Sequence, residues 1–535
     1  MVVGAGIAGL VTALELLDGG RRVLLLDRCR PDELGGLARE AFGGIFLVDT
    51  PEQRRSGIRD SYELALDDWM RTADFEPEDE WPRRWAEMYV RQANTEIRHW
   101  LRRRDIGVFP VVNWAERGVF GDGNSVPRFH LAWGAARRMV TAVWEAIEAH
   151  PQRSAFEIRF RHRVTRLTGG PDAVTGCQGV DEQSGAEFEL EADTVVLASG
   201  GIGGNLDKVR DNWPRDLAGP PEDILMGSHY YADGAMHDEV TRLGGNVVNL
   251  DRMWNYGDAV HHPRPKRPLH GLKLIPPRSG LMMDPTGRRY GPRPVIPTFD
   301  AHDAFRTIAS QERKYAWLVC NARIAARELD VSGSQHNPDL RERRLVRFIA
   351  NVLFGKPWLV DHFIRECEDF VTARSIRELA GEMNRLVGDD TVDADLLEAE
   401  VARYDANVAR GKALFNDDQL RRIAQLRSWR GDRLRTARFA KIVDPKGMPL
   451  IAIRLQLLSR KSLGGIQTDL DSRVLRSGDE PISGLYAVGE AAGFGGGGVH
   501  GKRALEGSFL IGCVISARAC ARAVARSQAE ATTSV

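Results

Sequence analysis

Short runs of apolar residues, each followed by a glycine-rich turn, occur near both ends of the chain. The first run, residues 1–3, precedes the turn Gly-Ala-Gly-Ile-Ala-Gly at residues 4–9. A stretch with helical apolar spacing follows at residues 10–17, and a second apolar run at residues 23–26 ends before Asp27. Strand, tight turn, helix and strand in this order predict the beginning of a parallel sheet, although its first strand is short.

Two later segments repeat the strand and glycine-turn pattern. They are DTVVLASGGIGGN at residues 193–205 and GLYAVGE at residues 484–490, and residues 505–526 have the spacing of a helix. Residues 156–160 and 186–190 alternate apolar and polar side chains, with Ser184 and Gly185 as a turn. This alternation predicts a small antiparallel insertion before the middle strand.

The pattern changes after Gly245. Loops rich in proline and histidine come first, and helical stretches follow around residues 339–353 and 376–410. The pattern of the terminal segments resumes near Ser462. The sequence therefore predicts a separate unit between two segments that share one sheet.

The first glycine turn has the spacing of a dinucleotide site. Gly4 permits the tight turn, Gly6 lets a pyrophosphate approach the backbone, and Gly9 lets helix and strand pack closely. The phosphates then lie at the helix N-terminus, where unpaired N–H groups favour an anion. Asp27 is placed to accept hydrogen bonds from ribose hydroxyl groups. The glycines alone do not distinguish FAD from NAD.

Composition excludes several other classes of function. Lysine plus arginine and aspartate plus glutamate number 74 each in 535 residues, so no net field attracts nucleic acid or an anionic membrane surface. No uninterrupted apolar stretch approaches the length of a membrane span. The chain also lacks a secretory signal pattern, and its six cysteines are scattered, so we expect reduced thiols and a cytoplasmic protein.

Neither a metal centre nor a serine nucleophile is predicted. His261, His262 and His270 lie in a proline-rich loop without metal-ligand spacing, and we expect them to be exposed. Ser199 precedes two glycines, but the segment is not a G-x-S-x-G turn.

Five motifs in order resemble those of the FAD-dependent fumarate reductase and succinate dehydrogenase flavoprotein superfamily, which includes ketosteroid dehydrogenases. They are the glycine pair after the second strand, the VVLASGGIGGN strand and turn, the Ala-Asp-Gly turn at residues 232–234, the Ser-Leu-Gly-Gly turn at residues 462–465 and the GLYAVGE segment. Together they span nearly the whole chain.

The resemblance implies an α/β fold in which a discontinuous, Rossmann-like FAD-binding domain carries an inserted α+β capping domain for the substrate. Its implied boundaries are 1–250 and 459–535 for the FAD-binding domain and 251–458 for the cap. Residues 34–46 contain no histidine, the residue that bonds covalently to flavin in respiratory members, so noncovalent FAD is implied. The implied cofactor contacts are Gly4, Gly6, Ala8, Gly9, Asp27, Arg28, Gly35, Gly36, Gly43, Gly44, Ser199, Gly200, Gly201, Gly489, Glu490, Gly498 and Ser508.

The same resemblance implies hydride transfer between flavin N5 and one carbon of a C–C pair, with a protein group handling the proton on the next carbon. Fumarate reductases use an arginine as proton donor, and Phe299 stands at its place here. Aromatic residues at Trp254, Tyr256 and Tyr290 suit a bulky apolar ketone. We expect a dehydrogenase with an unidentified electron acceptor. The alternatives are an enone or fumarate-type reductase, and a flavin-binding electron-transfer subunit without turnover of its own.

Five residues are candidates for the chemistry. Tyr256 or Tyr290 could act as base or carbonyl donor, or could be a packed aromatic. His500 could contact substrate or flavin, or brace its loop. Arg503 could hold a substrate oxygen or the flavin, or form a salt bridge with Glu490 or Glu506, and Lys461 stands where reductases have a histidine. The run of four glycines at residues 495–498 is expected to pass against the flavin ring.

Overall fold

The first of two main sheets is built from both ends of the chain. The computed structural model describes residues 1–110, 113–119 and 121–533, with side chains described as far as residue 527. The sheet has six strands, which in spatial order are Arg473–Arg476, Glu480–Ala487, Val195–Leu197, Val2–Val3, Val23–Leu26 and Phe156–Arg159. All neighbours are parallel except the first pair, which is an antiparallel hairpin. The predicted parallel sheet is confirmed, with a first strand of only two residues.

Helices cover this sheet because their buried faces are almost entirely apolar. Ile7–Asp18 lies between Ala135–Glu148 and the C-terminal helix Ser508–Thr533. The segment Ser508–Ser527 is long and apolar enough to cross a membrane by length and composition, but 72% of its most apolar window is buried inside the protein. Such burial is typical of a core helix. The remaining elements of this part are Gly36–Glu40, Gly44–Phe46, Pro51–Arg55, Tyr62–Ala73, Glu80–Asn94, Glu96–Arg103 and Phe129–Leu131.

The predicted antiparallel insertion is correct in only one of its two stretches. Three antiparallel strands, His162–Gly169, Val174–Asp181 and Glu187–Glu191, form a small separate sheet, and Ser184 and Gly185 lie in the turn before its last strand. Phe156–Arg159 instead pairs in parallel with Val23–Leu26 at the edge of the main sheet. Alternation marks a strand with one buried face, but it does not determine which strand is the neighbour.

The second sheet has eight strands from the middle of the chain. Its long central strand, Leu450–Ser462, pairs antiparallel with Tyr315–Asn321 on one side and Met253–His261 on the other. The other members are Leu225–Met226, Gly271–Ile275, Leu281–Met283, Asp330–Val331 and Phe370–Ala373. Around it lie helices Ala301–Ala309, Ala322–Glu328, Pro338–Arg341, Leu345–Phe354, Pro357–Glu366, Ile376–Val387, Ala394–Arg410, Asp418–Leu426 and Arg430–Arg435.

Each predicted helical stretch of the middle unit is two helices. Between Ile376–Val387 and Ala394–Arg410, Gly388 adopts a left-handed conformation with φ of 78° that ends the first helix. The Asp393 side chain then accepts hydrogen bonds from two backbone N–H groups and begins the second. The chain therefore reverses where the apolar spacing alone suggested one long helix.

The two sheets confirm the α/β fold with an interrupted first unit. Strands of the first sheet come from residues 2–197 and 473–487, whereas those of the second come from residues 225–462. Between them lie Leu206–Asp211, Ala235–Arg242 and the pair Val247–Val248 with Gly465–Ile466. The domain boundaries at 250 and 459 remain predictions, and the strand Leu450–Ser462 crosses the second of them.

Candidate functional site

A cavity of about 1080 Å³ extends from the first glycine turn to the second sheet. Its wall includes Gly4, Gly6 and Asp27 from the first sheet and Tyr256 and Lys461 from the second. Because both sheets contribute, the cavity can hold a long molecule against the first and a second molecule against the other. The geometry of the glycine turn decides what the first molecule can be.

The glycine turn leaves open space where a phosphate would lie. A Cβ atom on Gly9 would lie 1.8 Å from the carbonyl oxygen of Gly4, so only glycine allows this packing of helix on strand. A Cβ atom on Gly6 would meet no atom within 4 Å, and Gly6 lines the cavity. Gly6 therefore keeps a space free in front of the N-terminus of helix Ile7–Asp18, where unpaired N–H groups favour an anion. Ala8 lies in the first turn of that helix and also lines the cavity.

Asp27 and Arg28 lie at the end of the second strand, as the ribose-binding prediction requires. The Asp27 carboxylate accepts hydrogen bonds from the backbone N–H groups of Ala5 and Cys29, the latter at 2.6 Å. The Arg28 guanidinium lies 4.1 Å from the ring centroid of Tyr231. Asp27, Arg28 and Tyr231 line the cavity, as does Cys29. The predicted side chains of Asp27 and Arg28 therefore reach the proposed cofactor space.

Two further glycine segments form the same wall. Gly35, Gly36 and Gly43 have positive φ angles of 102°, 53° and 93°, a backbone conformation that other residues rarely adopt. These three, Gly44, Ser199, Gly200 and Glu490 all line the cavity. The chain therefore passes close to the cofactor space at three separate places, as the resemblance implies.

Five of the predicted cofactor residues lie behind the cavity wall. They are Gly9, Gly201, Gly489, Gly498 and Ser508, and a Cβ atom on Gly201 would lie 2.4 Å from the Ser462 hydroxyl oxygen. A Cβ atom on Gly489 would lie 2.7 Å from that of Ala8. Gly201 and Gly489 allow the segments that form the wall to pack closely, so they support the wall without lining the cavity.

The run of four glycines packs against a tryptophan. Cβ atoms on Gly495 and Gly496 would lie 2.5 and 2.7 Å from the indole ring of Trp85, and none of the four glycines lines the cavity. The expectation that this run passes against the flavin ring is therefore not supported. The Trp85 ring belongs to helix Glu80–Asn94, and its indole N–H donates to the Asp469 carbonyl.

His500 is buried in a group of aromatic rings. It is 0% exposed, its Nε2 atom lies 2.8 Å from the Ser508 hydroxyl oxygen, and its ring stacks on Trp69 at 5.5 Å. Burial, and after it the charge of Lys461, lowers the pKa of His500 to about 3, so the ring is neutral at pH 7. It does not line the cavity, and the structure favours its role in bracing the loop.

Arg503 forms salt bridges with partners that the sequence did not indicate. Its guanidinium donates to Asp122 at 2.6 Å and to the buried carboxylate of Asp300, whereas the expected partners were Glu490 and Glu506. It does not line the cavity. Arg503, from the C-terminal segment, thus joins Asp122 of the N-terminal segment and Asp300 of the middle segment through ion pairs.

We expect Arg503→Met to lower the free energy of unfolding by about 3–5 kcal/mol, because it leaves the buried Asp300 carboxylate without its cation. Urea unfolding followed by circular dichroism measures the change. Arg54→Met, which removes an exposed pair with Asp49, is the matched control and should cost less than about 1 kcal/mol. Unchanged stability together with a large rise in KM would instead assign Arg503 to the substrate.

Tyr290 lies outside the cavity wall. Its hydroxyl donates to the Gln311 side-chain carbonyl at 2.9 Å, and its ring packs against the buried apolar residues around the second sheet. Tyr290 is therefore a packed aromatic residue whose hydroxyl already has a hydrogen-bond partner. Of the two candidate tyrosines, Tyr256 is the one that lines the cavity.

Tyr256, Lys461 and Glu506 form a hydrogen-bonded group on the cavity wall. The Tyr256 hydroxyl donates to Glu506 Oε1 at 2.5 Å, and Lys461 Nζ donates to the Tyr256 oxygen at 3.3 Å. The Trp254 indole N–H donates to the same Glu506 oxygen at 3.1 Å, and Lys273 Nζ lies 3.8 Å from it. A carboxylate thus holds a tyrosine and two lysines close together.

Burial and charge place Lys461 in an unusual protonation range. Burial lowers the pKa of Lys461 to about 7, although the nearby Glu506 carboxylate opposes the shift. Burial alone would raise the pKa of Glu506, but Lys273, Lys461 and the hydrogen bonds from Tyr256 and Trp254 outweigh it and hold the pKa at about 2. Glu506 is therefore charged at pH 7, while a substantial fraction of Lys461 is a neutral amine.

Two other carboxyl groups of the wall titrate close to neutrality. Burial is the main cause that raises the pKa of Asp258 to about 6 and that of Glu490 to about 7. Asp258 is 2% exposed, and its Oδ1 atom has no hydrogen-bond partner among the described residues. A site with several groups near neutrality is typical of acid and base chemistry.

Sequence reasoning missed Asp258 and Lys273, and it named Glu506 only as a salt-bridge partner. The spacing Tyr256-x-Asp258 on one strand could have indicated the first, since alternate residues share a face. Lys273 is the single charged residue of the otherwise apolar strand Gly271–Ile275, and a charge in such a strand could have indicated a functional residue. No local signal connects Glu506 with Tyr256, which is 250 residues away.

The expectation of exposed histidines is wrong for two of the three. His262 and His270 are 5% and 7% exposed, and their rings stack at 4.3 Å. His261 is half-buried, and its Nδ1 atom lies 2.9 Å from Asp369, which also accepts from Arg454 at 2.9 Å. The loop between His261 and Gly271 folds back as a β-hairpin, and this brings the His262 and His270 rings together. The contacts of Asp369 with His261 and Arg454 are ionic pairs.

The cavity fits FAD in its open phosphate space, its acidic residue after the second strand and its glycine-lined wall. Residues 34–46 lack a histidine for a covalent bond to flavin. Gly6, the helix N-terminus and Asp27 would hold the pyrophosphate and ribose, and the Tyr256 group would border a second molecule.

Comparisons with known proteins agree with this arrangement. A family model described as FAD binding domain matches residues 1–510. The chain is 45% identical to a KsdD-like steroid dehydrogenase of Mycobacterium tuberculosis, over 98% of this chain and 95% of that protein. It is 44% identical to a KsdD-like steroid dehydrogenase of Mycolicibacterium smegmatis, over 95% of each.

Solved structures with the same fold are more distant in sequence. A 3-ketosteroid delta1-dehydrogenase from Sterolibacterium denitrificans, in complex with 1,4-androstadiene-3,17-dione, matches with a TM-score of 0.71 and 16% identity over 98% of this chain and 99% of that one. A flavocytochrome c3 fumarate reductase in an open conformation matches with a TM-score of 0.67 and 19% identity, over 98% of this chain and 77% of that one.

Proposed function

We propose that this chain, which belongs to the FAD binding domain family, dehydrogenates a steroid-like ketone. The family membership follows from the match of the family model to residues 1–510. The chain is an FAD-dependent oxidoreductase acting on CH–CH groups. We propose that its FAD is noncovalent, because residues 34–46 contain no histidine. The proposed bond lies next to the carbonyl of a bulky, largely apolar molecule. The names of the relatives that are 45% and 44% identical support this substrate class.

The observation that carries the proposal is the Tyr256, Lys461 and Glu506 group on the same cavity wall as the glycine turn. Bound FAD supplies the acceptor for a hydride from one carbon of the substrate. The protein must then take a proton from the carbon next to the carbonyl. In balance, the substrate loses one hydride and one proton and gains a carbon–carbon double bond.

We assign the proton to Lys461. An amine with a pKa of about 7 is neutral in a large fraction of molecules at pH 7 and has a lone pair that can accept a proton. The contact with Tyr256 holds the amine in place, and the Glu506 carboxylate stabilises the ammonium group that forms. Tyr256 itself keeps its proton, because burial and the Glu506 charge raise its pKa well above the usual value.

The apolar part of the wall provides contact area for the substrate. Phe509 lies beside Lys461, whose Nζ atom is 3.8 Å from the ring centroid, and Phe494 and Leu510 line the same cavity. Leu131 and Phe129 also line the cavity, from the strand that pairs with Gly44–Phe46. Such surfaces supply binding energy in proportion to the apolar area that they cover.

We also propose that the protein works in the cytoplasm and passes its electrons to a separate acceptor. All six cysteines are free and buried, as expected for a reducing compartment. The relatives do not identify the acceptor by name, so the proposal is limited to a second molecule that reoxidises the flavin.

The pH dependence should report the state of Lys461. The folded protein lowers its pKa to about 7, so the base form is scarce below pH 7 and dominant above it. We therefore expect kcat/KM to rise with pH and to level off above about pH 7. Because Asp258 and Glu490 titrate nearby, Asp258→Asn and Glu490→Gln are the controls and should keep this rising limb. If the rise of kcat/KM with pH disappears in one of these control variants, the substituted carboxylate, and not Lys461, would be the base.

A screen under anaerobic conditions tests the substrate class. Saturated 3-ketosteroids and smaller cyclic ketones are mixed with the oxidised holoenzyme, and the product mass is measured. We expect a ketosteroid to lose two hydrogen atoms and to bleach the flavin band. Fumarate with reduced holoenzyme is the comparison, and turnover of fumarate without any reaction of the ketones would favour the reductase alternative instead.

A further inference from the structure

The helix Leu345–Phe354 exposes an apolar face on the surface of the protein. Single exposed apolar residues are ordinary, whereas several on one short helix form a continuous patch. The exposed fractions are 53% for Leu345, 84% for Val346, 47% for Ile349, 46% for Leu353 and 81% for Phe354. Five of the eight large exposed apolar residues of the described side chains lie on this one helix.

The other face of the helix packs against the protein and lines part of the cavity. Phe348, Asn351 and Val352 line the cavity, and the Phe348 ring stacks on Phe109 at 4.9 Å. Arg430, which is exposed, also lines the cavity from the neighbouring helix. The helix therefore lies at the mouth of the cavity, with one face toward the interior and one toward solvent.

Arginines lie next to the exposed apolar face, at the N-terminal end of its helix and on the adjacent helix. Arg343, Arg344 and Arg347 are exposed beside Leu345 and Val346. Glu342 pairs with Arg344 at 2.6 Å, and the exposed Asp105 lies 3.7 Å from Arg343, so the cations still outnumber the carboxylates here. Arg430 and Arg433 add exposed cations from the adjacent helix Arg430–Arg435. The zero net charge of the whole chain conceals this local excess of positive charge.

We propose that this helix, residues 345–354, lies in the surface of an anionic phospholipid bilayer and opens the cavity mouth to the lipid. An apolar helix face bordered by arginines is the composition that binds such interfaces, with the apolar side chains among the acyl chains and the cations at the headgroups. The helix lies on the membrane and does not span it, since it has ten residues.

A second copy of the chain suits this surface less well. In a symmetric dimer the same patch faces itself, so the arginines of both copies would come together. Anionic headgroups instead neutralise them. The proposal does not rest on the proposed function, because binding is measured without turnover, but it explains how a sparingly soluble ketone would reach the cavity.

Sedimentation of the full-length holoenzyme with vesicles of phosphatidylcholine and phosphatidylglycerol tests the proposal. The double substitution Val346→Ser and Phe354→Ser removes the two most exposed apolar side chains without changing the charge. We expect at least about tenfold weaker binding, as the loss of two apolar side chains from the interface implies. Leu414→Ser, at a residue that is 65% exposed on another part of the protein, is the matched control and should bind like the wild type.

Three results would overturn the proposal. They are failure of the wild type to sediment with these vesicles, equal binding by the double variant, and an oligomer in solution that the double substitution dissociates. The last would show that a second copy covers the helix. Binding that weakens in pure phosphatidylcholine and at high salt would support it, because the arginine contribution is screened. Flavin bleaching by a dissolved ketone should be equal in wild type and variant, so failure of docking and failure of the proposed activity are separable.

Discussion

Replacing Lys461 with methionine is expected to lower kcat by about 10² to 10⁴-fold while the protein keeps its FAD, the range that a positioned acid or base contributes. Methionine has a similar length and no group that accepts a proton. The Tyr256 hydrogen bond to Glu506 does not involve the lysine and should remain. The loss should therefore appear in turnover and not in the amount of bound flavin.

The test compares single-turnover flavin reduction in Lys461→Met, the wild type and Lys441→Met. Lys441 is exposed and does not line the cavity, so its substitution controls for the loss of a lysine. Glu506→Gln provides a second comparison, because it removes the carboxylate that stabilises the Lys461 ammonium group. We expect a lower apparent pKa in the rising limb of its pH profile. Wild-type rates in Lys461→Met would remove the lysine from the mechanism.

Replacing Gly6 with valine is expected to weaken FAD binding by at least about a hundredfold, a cost of roughly 3 kcal/mol, while the protein still folds. The backbone of Gly6 has φ of −65° and ψ of 174°, a conformation that valine adopts without strain. Its new Cβ atom would meet no protein atom within 4 Å. The side chain would instead occupy the space that the pyrophosphate needs in front of the helix.

Flavin content after purification and FAD titration by fluorescence measure this change. Gly219→Val is the matched control, because Gly219 also has open space around its position, has no positive φ and does not line the cavity. Circular dichroism should show the same helix content in both variants. Normal FAD affinity in Gly6→Val would mean that the cofactor lies elsewhere in the cavity.

Local patterns predicted the elements that depend on local geometry. In the turn at residues 4–9, the positive φ of Gly4 and the contact of Gly9 with the Gly4 carbonyl are local requirements for glycine, and the strand Val23–Leu26 has the predicted bounds. The edge strand Phe156–Arg159 was assigned to the wrong sheet because alternation specifies a buried face and not a partner.

Side-chain environments formed by distant segments were not predictable. Gly495 and Gly496 are required by Trp85, which lies 410 or more positions earlier in the chain, and nothing near the glycines indicates it. The network of Glu506 with Tyr256 has the same origin. The helix Leu345–Phe354 lies in a predicted helical stretch, but its arginine-bordered surface was not predicted, since a charge sum over the whole chain averages out a local basic segment.

Anaerobic mixing of the holoenzyme with one saturated 3-ketosteroid shows whether this protein removes hydrogen from such a ketone with Lys461 as the base. We expect the oxidised flavin band of the wild type to disappear after mixing, with formation of the unsaturated ketone. Lys461→Met, carrying the same amount of FAD, should keep its band. A wild-type flavin that stays oxidised with every saturated ketosteroid, in protein that carries FAD and is reduced by dithionite, would rule out dehydrogenation of ketosteroids by this protein.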